Sequence, residues 1–322
     1  MRVLVTGRGS IAQRHVQHLR KLLPTLALAV ISSSGEVDVS LLPCTVFSNM
    51  QAALTWKPQA IVIASVSSRH TDELEICLYL GLPCLVEKPL LISSDQLERL
   101  KKASHMQPVH NAVIVGCNLR YLPALQKLKY ALSGAKQLKI LRAHFEVGQA
   151  LAQWRPLRDL QTTYSADASA GGGVVFDLVH EIDVARWLLG SLQVHAAIGG
   201  HFSNLPIQSD DVHVALLKTT SGTPVTIHLD YVSQQVVRAY TIVTDSGTFS
   251  TDIMGKYLVL RTDNNTQYVT EYPEDFDIQK TYLLQIADWL SAIADPTHKV
   301  TSPLAEGIMT AELMLDMKKA AS

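Results

Sequence analysis

The chain has 322 residues, 47% of them hydrophobic and 18% charged, with a formal net charge of −1. That length and apolar content are enough for the cores of two domains and exclude a disordered chain. The near-neutral balance excludes the basic field of a nucleic-acid or anionic-membrane binder, and no run of about twenty apolar residues reads as a membrane span. Cys44, Cys77, Cys84 and Cys117 show no C-x-x-C spacing, so they read as reduced thiols and no metal site is expected. The opening MRVLVTGRGS is a short apolar run broken at once by glycine; it reads as a strand rather than a signal peptide, and the expectation is a cytoplasmic protein.

Arg2 to Thr6 is rich in β-branched residues, and Gly7-Arg8-Gly9-Ser10-Ile11-Ala12 follows before a helix with apolar Ile11, Val16, Leu19, Leu22 and Leu23. In this strand-turn-helix setting, G-x-G-x-x-A is a dinucleotide signature. Gly7 makes the turn, Gly9 lets the backbone approach a pyrophosphate, and the helix start at Ser10 and Ile11 receives it. The next strand, Leu26 to Ile31, ends in Ser32-Ser33-Ser34, where an NAD site usually presents an acid to the ribose 2′-hydroxyl. Hydroxyls from Ser32 and Ser33, with Arg8 close by, tolerate a 2′-phosphate, which favours NADP over NAD. The competing reading has Glu36 or Asp38 reaching back. Ala60 to Ala64 is a continuous apolar run suited to a parallel strand buried on both faces. Ser65, Val66 and His70 follow its C-terminal end, where ligands bind in such sheets, although His70 reads equally well as the entry to the helix Thr71 to Leu80. Pro83 to Val86 is a further buried strand, ending in Glu87-Lys88-Pro89.

The N-terminal GxGxxA turn, the strand ending A-S-V-S-S-x-H and the V-E-K-P segment together resemble the Gfo/Idh/MocA family of NAD(P)-dependent sugar oxidoreductases. The resemblance implies that Glu87 helps hold the cofactor and that Lys88 faces the reacting carbon and its oxygen. A cation there favours the partly negative oxygen of a hydride-transfer transition state. Val113 to Gly116 and Cys117-Asn118-Leu119-Arg120-x-x-Pro123-Ala124 are similar to the family's strand closing the first domain. Asn118 thereby becomes a candidate on the nicotinamide side and Arg120 on the substrate side; a structural ion pair is the alternative for Arg120.

A strand from Leu138 to Val147 then opens a second sheet. The loop carrying Trp154-Arg155-Pro156-x-Arg158-Asp159 and Tyr164-Ser165 resembles the family branch found with surface-sugar and nonulosonic acid biosynthesis. An aromatic plane at Trp154, the Tyr164 ring and guanidinium groups at Arg155 and Arg158 suit a sugar bearing a carboxylate or phosphate. Packing by Trp154 and structural ion pairs for the arginines are the competing reading. Gly171 to Gly190 places a glycine turn before a helix whose apolar stripe is Leu178, Ile182, Ala185 and Leu189 and whose early turns carry Asp177, His180 and Asp183. A carboxylate three residues from a histidine can orient it for proton transfer, while Asp177 as a mere helix cap is the plainer reading. Much of the family spaces its aspartate and histidine by four. Here the spacing is three, so His180 is the firmer assignment and Asp183 or Glu181 are alternatives to Asp177. From Val194 to Tyr272 successive strands alternate, as in Val225, Ile227, Leu229 and Tyr231, and two helices end the chain.

The expected fold is α/β: an N-terminal Rossmann parallel sheet over 1–118, then a C-terminal α+β domain over 119–322 with an open, largely antiparallel sheet. The last helix is free to pack back on the first domain. The family commonly pairs subunits through that sheet, which implies a homodimer or homotetramer. The expected activity is NAD(P)-dependent hydride transfer with a sugar, sugar acid or nucleotide sugar, with Lys88, His180 and Asp177 catalytic. An NAD-dependent glycosidase working by transient oxidation and elimination uses the same framework. A non-catalytic dinucleotide or sugar sensor is a third reading, opposed by the intact Lys88, Asp177 and His180.

Overall fold

The computed structural model describes residues 1–32, 34–106, 112–134, 138–154 and 159–321. They fall into two compact units: Met1–Asn118 with Gln279–Ala311, and Leu119–Ile278 with Glu312–Ser322. The first unit begins β1 (Arg2–Thr6), α1 (Ser10–Leu22), β2 (Ala27–Ile31), β3 (Thr45–Phe47), α2 (Met50–Thr55) and β4 (Ala60–Ile63). It continues α3 (His70–Leu80), β5 (Cys84–Val86), α4 (Ser94–Met106) and β6 (Val113–Val115). The strands pair in parallel in the order β3-β2-β1-β4-β5-β6. Every residue of β4 and β5 is buried, as expected of apolar strands covered on both faces. The chain direction of the winding reverses between β1 and β4, the point at which an open α/β sheet offers a crevice at its C-terminal edge.

The second unit contains α5 (Pro123–Leu132), β7 (Ile140–Gly148), α6 (Leu151–Trp154), α7 (Val174–Asp177) and α8 (Val179–Leu189). Then come β8 (Leu192–Gly200), β9 (Val212–Thr219), β10 (Pro224–Asp230), β11 (Val237–Thr244), β12 (Gly247–Asp252), β13 (Tyr257–Thr262) and β14 (Asn265–Thr270). These eight strands form one sheet in the order β14-β13-β12-β11-β7-β10-β9-β8, antiparallel except where β7 and β10 run parallel. Val225, Ile227 and Leu229 are buried on one face, while Thr226 and His228 are half-buried on the other. The second face is not purely polar: Val214 opposite His228, Leu216 opposite Thr226, and Ile198 beside Val214 are all exposed.

The last helices are α9 (Ile278–Ala294) and α10 (Leu304–Ala320). Residues 279–311 join the first unit rather than the domain expected from the sequence. Ile286, Trp289 and Ala292 of α9 are buried in one core with Val3, Val5, Val16 and Ile114. Trp289 Nε1 donates to the Ala112 carbonyl (2.9 Å), and the Val115 amide donates to the Ser302 carbonyl (3.0 Å). Apolar burial and these bonds to the β6 strand override sequence order. Among the described residues no helix is long and apolar enough to cross a membrane.

Candidate active site

In the first unit, Thr6 pairs with both Ile31 and Ile63, and Ile63 pairs with Val86, so the C-terminal ends of β2, β1, β4 and β5 stand side by side. The segments leaving that edge hold Gly7 to Ile11, Ser32, Ser65, Val66, Glu87 and Lys88. Gly7 has φ +97°, and a Cβ there would lie 2.2 Å from the Ala64 carbonyl oxygen, so no other residue fits without moving the backbone. Gly9 is different. Its backbone is ordinary (φ −73°, ψ −180°), a Cβ would meet nothing within 4 Å, and it begins α1 with no side-chain cap and no acidic residue in the first turn. The first-turn amides, starting at exposed Ser10 and half-buried Ile11, therefore form a helix start that suits a pyrophosphate.

Arg8 Nη1 donates to Ser34 Oγ (2.9 Å) and to the Glu36 carbonyl (3.3 Å), and Ser32 Oγ donates to the same carbonyl (2.6 Å). Glu36 thus meets Arg8 through its backbone. Asp38 accepts the Ser40 amide (2.8 Å) and caps its own short turn rather than reaching back. Ser33 lies outside the described residues.

Ser65 Oγ and Thr6 Oγ1 both donate to Glu73 Oε2 (2.8 and 2.5 Å), which ties the ends of β4 and β1 to α3; Val66 is exposed. His70 does open α3, but it is only 1% exposed, with Nδ1 at 2.8 Å from the Pro89 carbonyl and Nε2 at 3.0 Å from the Ser65 carbonyl. Each ring nitrogen thus faces a backbone carbonyl of a neighbouring loop, and the one that carries the proton donates to it. Glu87 is buried, with Oε1 at 2.6 Å from His15 Nε2 and Oε2 accepting the Lys88 amide (3.2 Å). Burial pushes the Glu87 carboxyl up, but the hydrogen bond and charge of His15, together with Lys88, hold it below the ordinary carboxylate range. An ionised carboxylate only accepts, so His15 Nε2 carries the proton and donates. Lys88 is half-buried. Asn118 is buried and donates from Nδ2 to Thr281 Oγ1 of α9 (2.7 Å), so its amide is engaged in packing.

In the second unit, Gly171 and Gly173 have φ of +92° and +113°. Tyr164 OH donates to the Gly171 carbonyl (2.6 Å), and a Cβ on Gly172 would lie 2.4 Å from the Tyr164 carbonyl oxygen. The glycines let this turn pack under the segment that begins at Tyr164. The single helix expected after it is two: α7 ends at Asp177, Leu178 breaks the helix at φ −100°, ψ 25°, and α8 resumes at Val179. The rotation of about 100° per residue in a regular helix therefore does not carry across from Asp177 to half-buried His180.

Asp177 is 4% exposed, and its Oδ2 accepts both Ser165 Oγ and Tyr231 OH, each at 2.6 Å. Burial and then the Asp177 charge raise the Tyr231 hydroxyl well above its usual range, which keeps it a donor. The half-buried Trp154 ring lies 6.0 Å from the Tyr231 ring, in a tilted contact. The alternatives to Asp177 are both committed. Asp183 is held by Arg120 through Nε (2.8 Å) and Nη2 (2.7 Å), and Glu181 by Arg238 Nε (2.8 Å) and Tyr240 OH (3.1 Å). Arg120, itself buried, is thus in the structural ion pair that was its alternative reading. Arg155 and Arg158 lie outside the described residues. Among the described residues no group of three or more His, Cys, Asp or Glu is placed to hold a metal.

Sequence reasoning missed His15, Ser165 and Tyr231. His15 shares the buried stripe of α1 with Ala12, Val16 and Leu19, and a histidine on an apolar stripe was the available signal.

Residues 1–117 match an oxidoreductase family with an NAD-binding Rossmann fold, and residues 139–250 match the GFO/IDH/MocA C-terminal domain. The inositol 2-dehydrogenase 2 of Paenarthrobacter aurescens is 27% identical over 314 residues, covering 91% of this chain and 88% of that protein. The UDP-N-acetylglucosamine 3-dehydrogenase of Acidithiobacillus ferrooxidans is 23% identical over 91% of this chain and 89% of its own. A solved structure of a UDP-N-acetylglucosamine 3-dehydrogenase from that organism has a TM-score of 0.78 at 21% identity, covering 99% of this chain and 97% of the other. A levoglucosan dehydrogenase in complex with NADH has a TM-score of 0.83 at 17% identity, covering 100% and 96%. At such identities the structural likeness speaks for the fold.

Proposed function

The chain belongs to the Gfo/Idh/MocA oxidoreductases, and on that premise we propose that it moves a hydride between NAD(P) and a hydroxyl-bearing carbon of a sugar, sugar acid or nucleotide sugar. The observation that carries this reading is the shared edge of the Rossmann sheet. The uncapped start of α1 and the Glu87-Lys88 segment follow the ends of β1 and β5, the two neighbours of β4 at that edge, suiting a pyrophosphate and a reacting oxygen respectively. The nicotinamide, when bound, gives or takes the hydride. The chain's own residues do the rest. The first-turn amides of α1 hold the phosphates, the Lys88 ammonium stabilises negative charge growing on the substrate oxygen, and His180 takes or returns the hydroxyl proton. Asp177, fixed by Ser165 and Tyr231, serves as an oriented carboxylate for the histidine or a neighbouring hydroxyl. Dehydrogenases of inositol and of a nucleotide sugar among the relatives support the substrate class.

The test is a screen of myo-inositol, UDP-N-acetylglucosamine and simple sugar acids with each cofactor, following absorbance at the reduced-nicotinamide band and analysing products. Growth of that band with an oxidised sugar is expected. Product without net absorbance change overturns the reading in favour of the glycosidase.

Within this function we assign NADP as the preferred cofactor. Arg8 beside Ser34 supports this, as a guanidinium and a hydroxyl are suited to a 2′-phosphate. Calorimetry is expected to show NADPH binding tighter than NADH. Arg8→Ala should weaken NADPH by about 10-fold or more, the scale of one charged hydrogen bond, and leave NADH nearly unchanged. Tighter binding of NADH by the unaltered protein contradicts the assignment.

A further inference from the structure

We propose that His15 and His70 are positioning residues that grip the Glu87-Lys88-Pro89 segment from its two flanks and so set where the Lys88 ammonium stands. The importance of that placement rests on the oxidoreductase reading above; the grip itself does not.

Lysine has a long flexible stem with about 2 kcal/mol of rotamer entropy, so its aim depends on how firmly its backbone is held. Here the sheet stops just before it. The Glu87 amide still donates to the Ile63 carbonyl (2.9 Å) and the Gly116 amide to the Val86 carbonyl (2.7 Å). Beyond Glu87 the segment leaves the parallel ladder, and Pro89 has no amide hydrogen to give. Two imidazoles take over. His15, from α1, donates to Glu87 Oε1 at 2.6 Å, and Glu87 turns its other oxygen back onto the Lys88 amide. A Cβ on Gly116 would come within 2.9 Å of that second oxygen, so the carboxylate is confined as well as bonded. His70, from α3, reaches the Pro89 carbonyl on the other side of Lys88, and its second nitrogen lies at the Ser65 carbonyl in the loop after β4.

His15 is 0% exposed on the apolar stripe of α1, and its Nδ1 finds no hydrogen-bond partner among the described residues. A leucine would fill such a position without leaving a buried polar atom unsatisfied. The imidazole makes one hydrogen bond there, and that bond goes to the residue before Lys88. The pairing spans 72 residues of sequence, so it is a tertiary tie rather than a local cap.

Hydrogen exchange on the full chain reads the grip without any substrate. In His15→Leu and in His70→Leu the amides of residues 87–92 are expected to exchange about 10-fold faster or more, the scale of losing one hydrogen bond to a charged or buried group. His15→Gln, whose amide reaches the Nε2 place, should restore slow exchange; His15→Asn, with the same chemistry and a shorter reach, should not. If His15→Leu does not fold, the Gln and Asn variants carry the same comparison. On a turned-over probe, kcat should fall in the Leu and Asn variants with KM little changed, and recover in His15→Gln. Exchange over 87–92 at the wild-type rate, or a rise spread equally over the whole first unit, overturns the proposal. If the wild type turns over none of the probes, the oxidoreductase reading fails while the exchange result still decides the grip.

Discussion

Lys88→Met and His180→Asn are each expected to lower kcat/KM by about 10²–10⁴-fold, the range for removing an electrostatic stabiliser or a general base, while NADPH affinity stays within a few-fold of wild type. The two losses have different origins. Methionine keeps the length and apolar stem of Lys88 but removes the charge that meets the developing oxyanion, so the loss falls on the transition state rather than on binding. Asparagine at 180 keeps polarity and bulk but cannot exchange a proton near neutral pH. Initial rates on whichever probe the screen identifies, with NADPH titrations alongside, check both. Retained turnover in either variant overturns that residue's role.

Gly7 and Gly9 are expected to separate folding from cofactor binding. Gly9→Val should melt within a few degrees of wild type, since its backbone is extended and a Cβ there meets nothing within 4 Å. The same side chain enters the place where the phosphates approach the helix start. NADPH affinity should fall by about 100-fold or more, the scale of losing two charge-assisted hydrogen bonds at roughly 1.5–3 kcal/mol each. Gly7→Ala should fail in the opposite way. A Cβ at φ +97° and 2.2 Å from the Ala64 carbonyl forces β1 and β4 to shift, and strain of about 1–3 kcal/mol lowers the melting temperature. Thermal melts and NADPH titrations of the two variants make the comparison. Unchanged NADPH binding in Gly9→Val contradicts placement of the pyrophosphate at α1.

Much of the first unit was legible because its signals are local. Continuous apolar runs, a glycine turn after β1 and a charged segment after β5 each need only a few neighbouring residues to be read. Tertiary relations were not. Nothing in Ile286, Trp289 and Ala292 says which core an apolar helix stripe joins, and α9 joined the first. The break at Leu178 has no glycine or proline to mark it, so Asp177 and His180 read as one helix. Arg120 and Asp183 are 63 residues apart and Asp177 and Tyr231 are 54 apart; sequence spacing says nothing of either pairing. His15 was hidden for a different reason: a polar residue on an apolar stripe looks like a lapse in the pattern until its partner is known.

Deuterium transfer tests the central claim most directly. With NADPH carrying deuterium at C4 of the nicotinamide and the oxidised form of the turned-over sugar, the reduced sugar should gain one carbon-bound deuterium, seen by mass spectrometry, as the cofactor is consumed one for one. A reduced sugar without deuterium, or product formed with the cofactor left untouched, contradicts direct hydride transfer at this site.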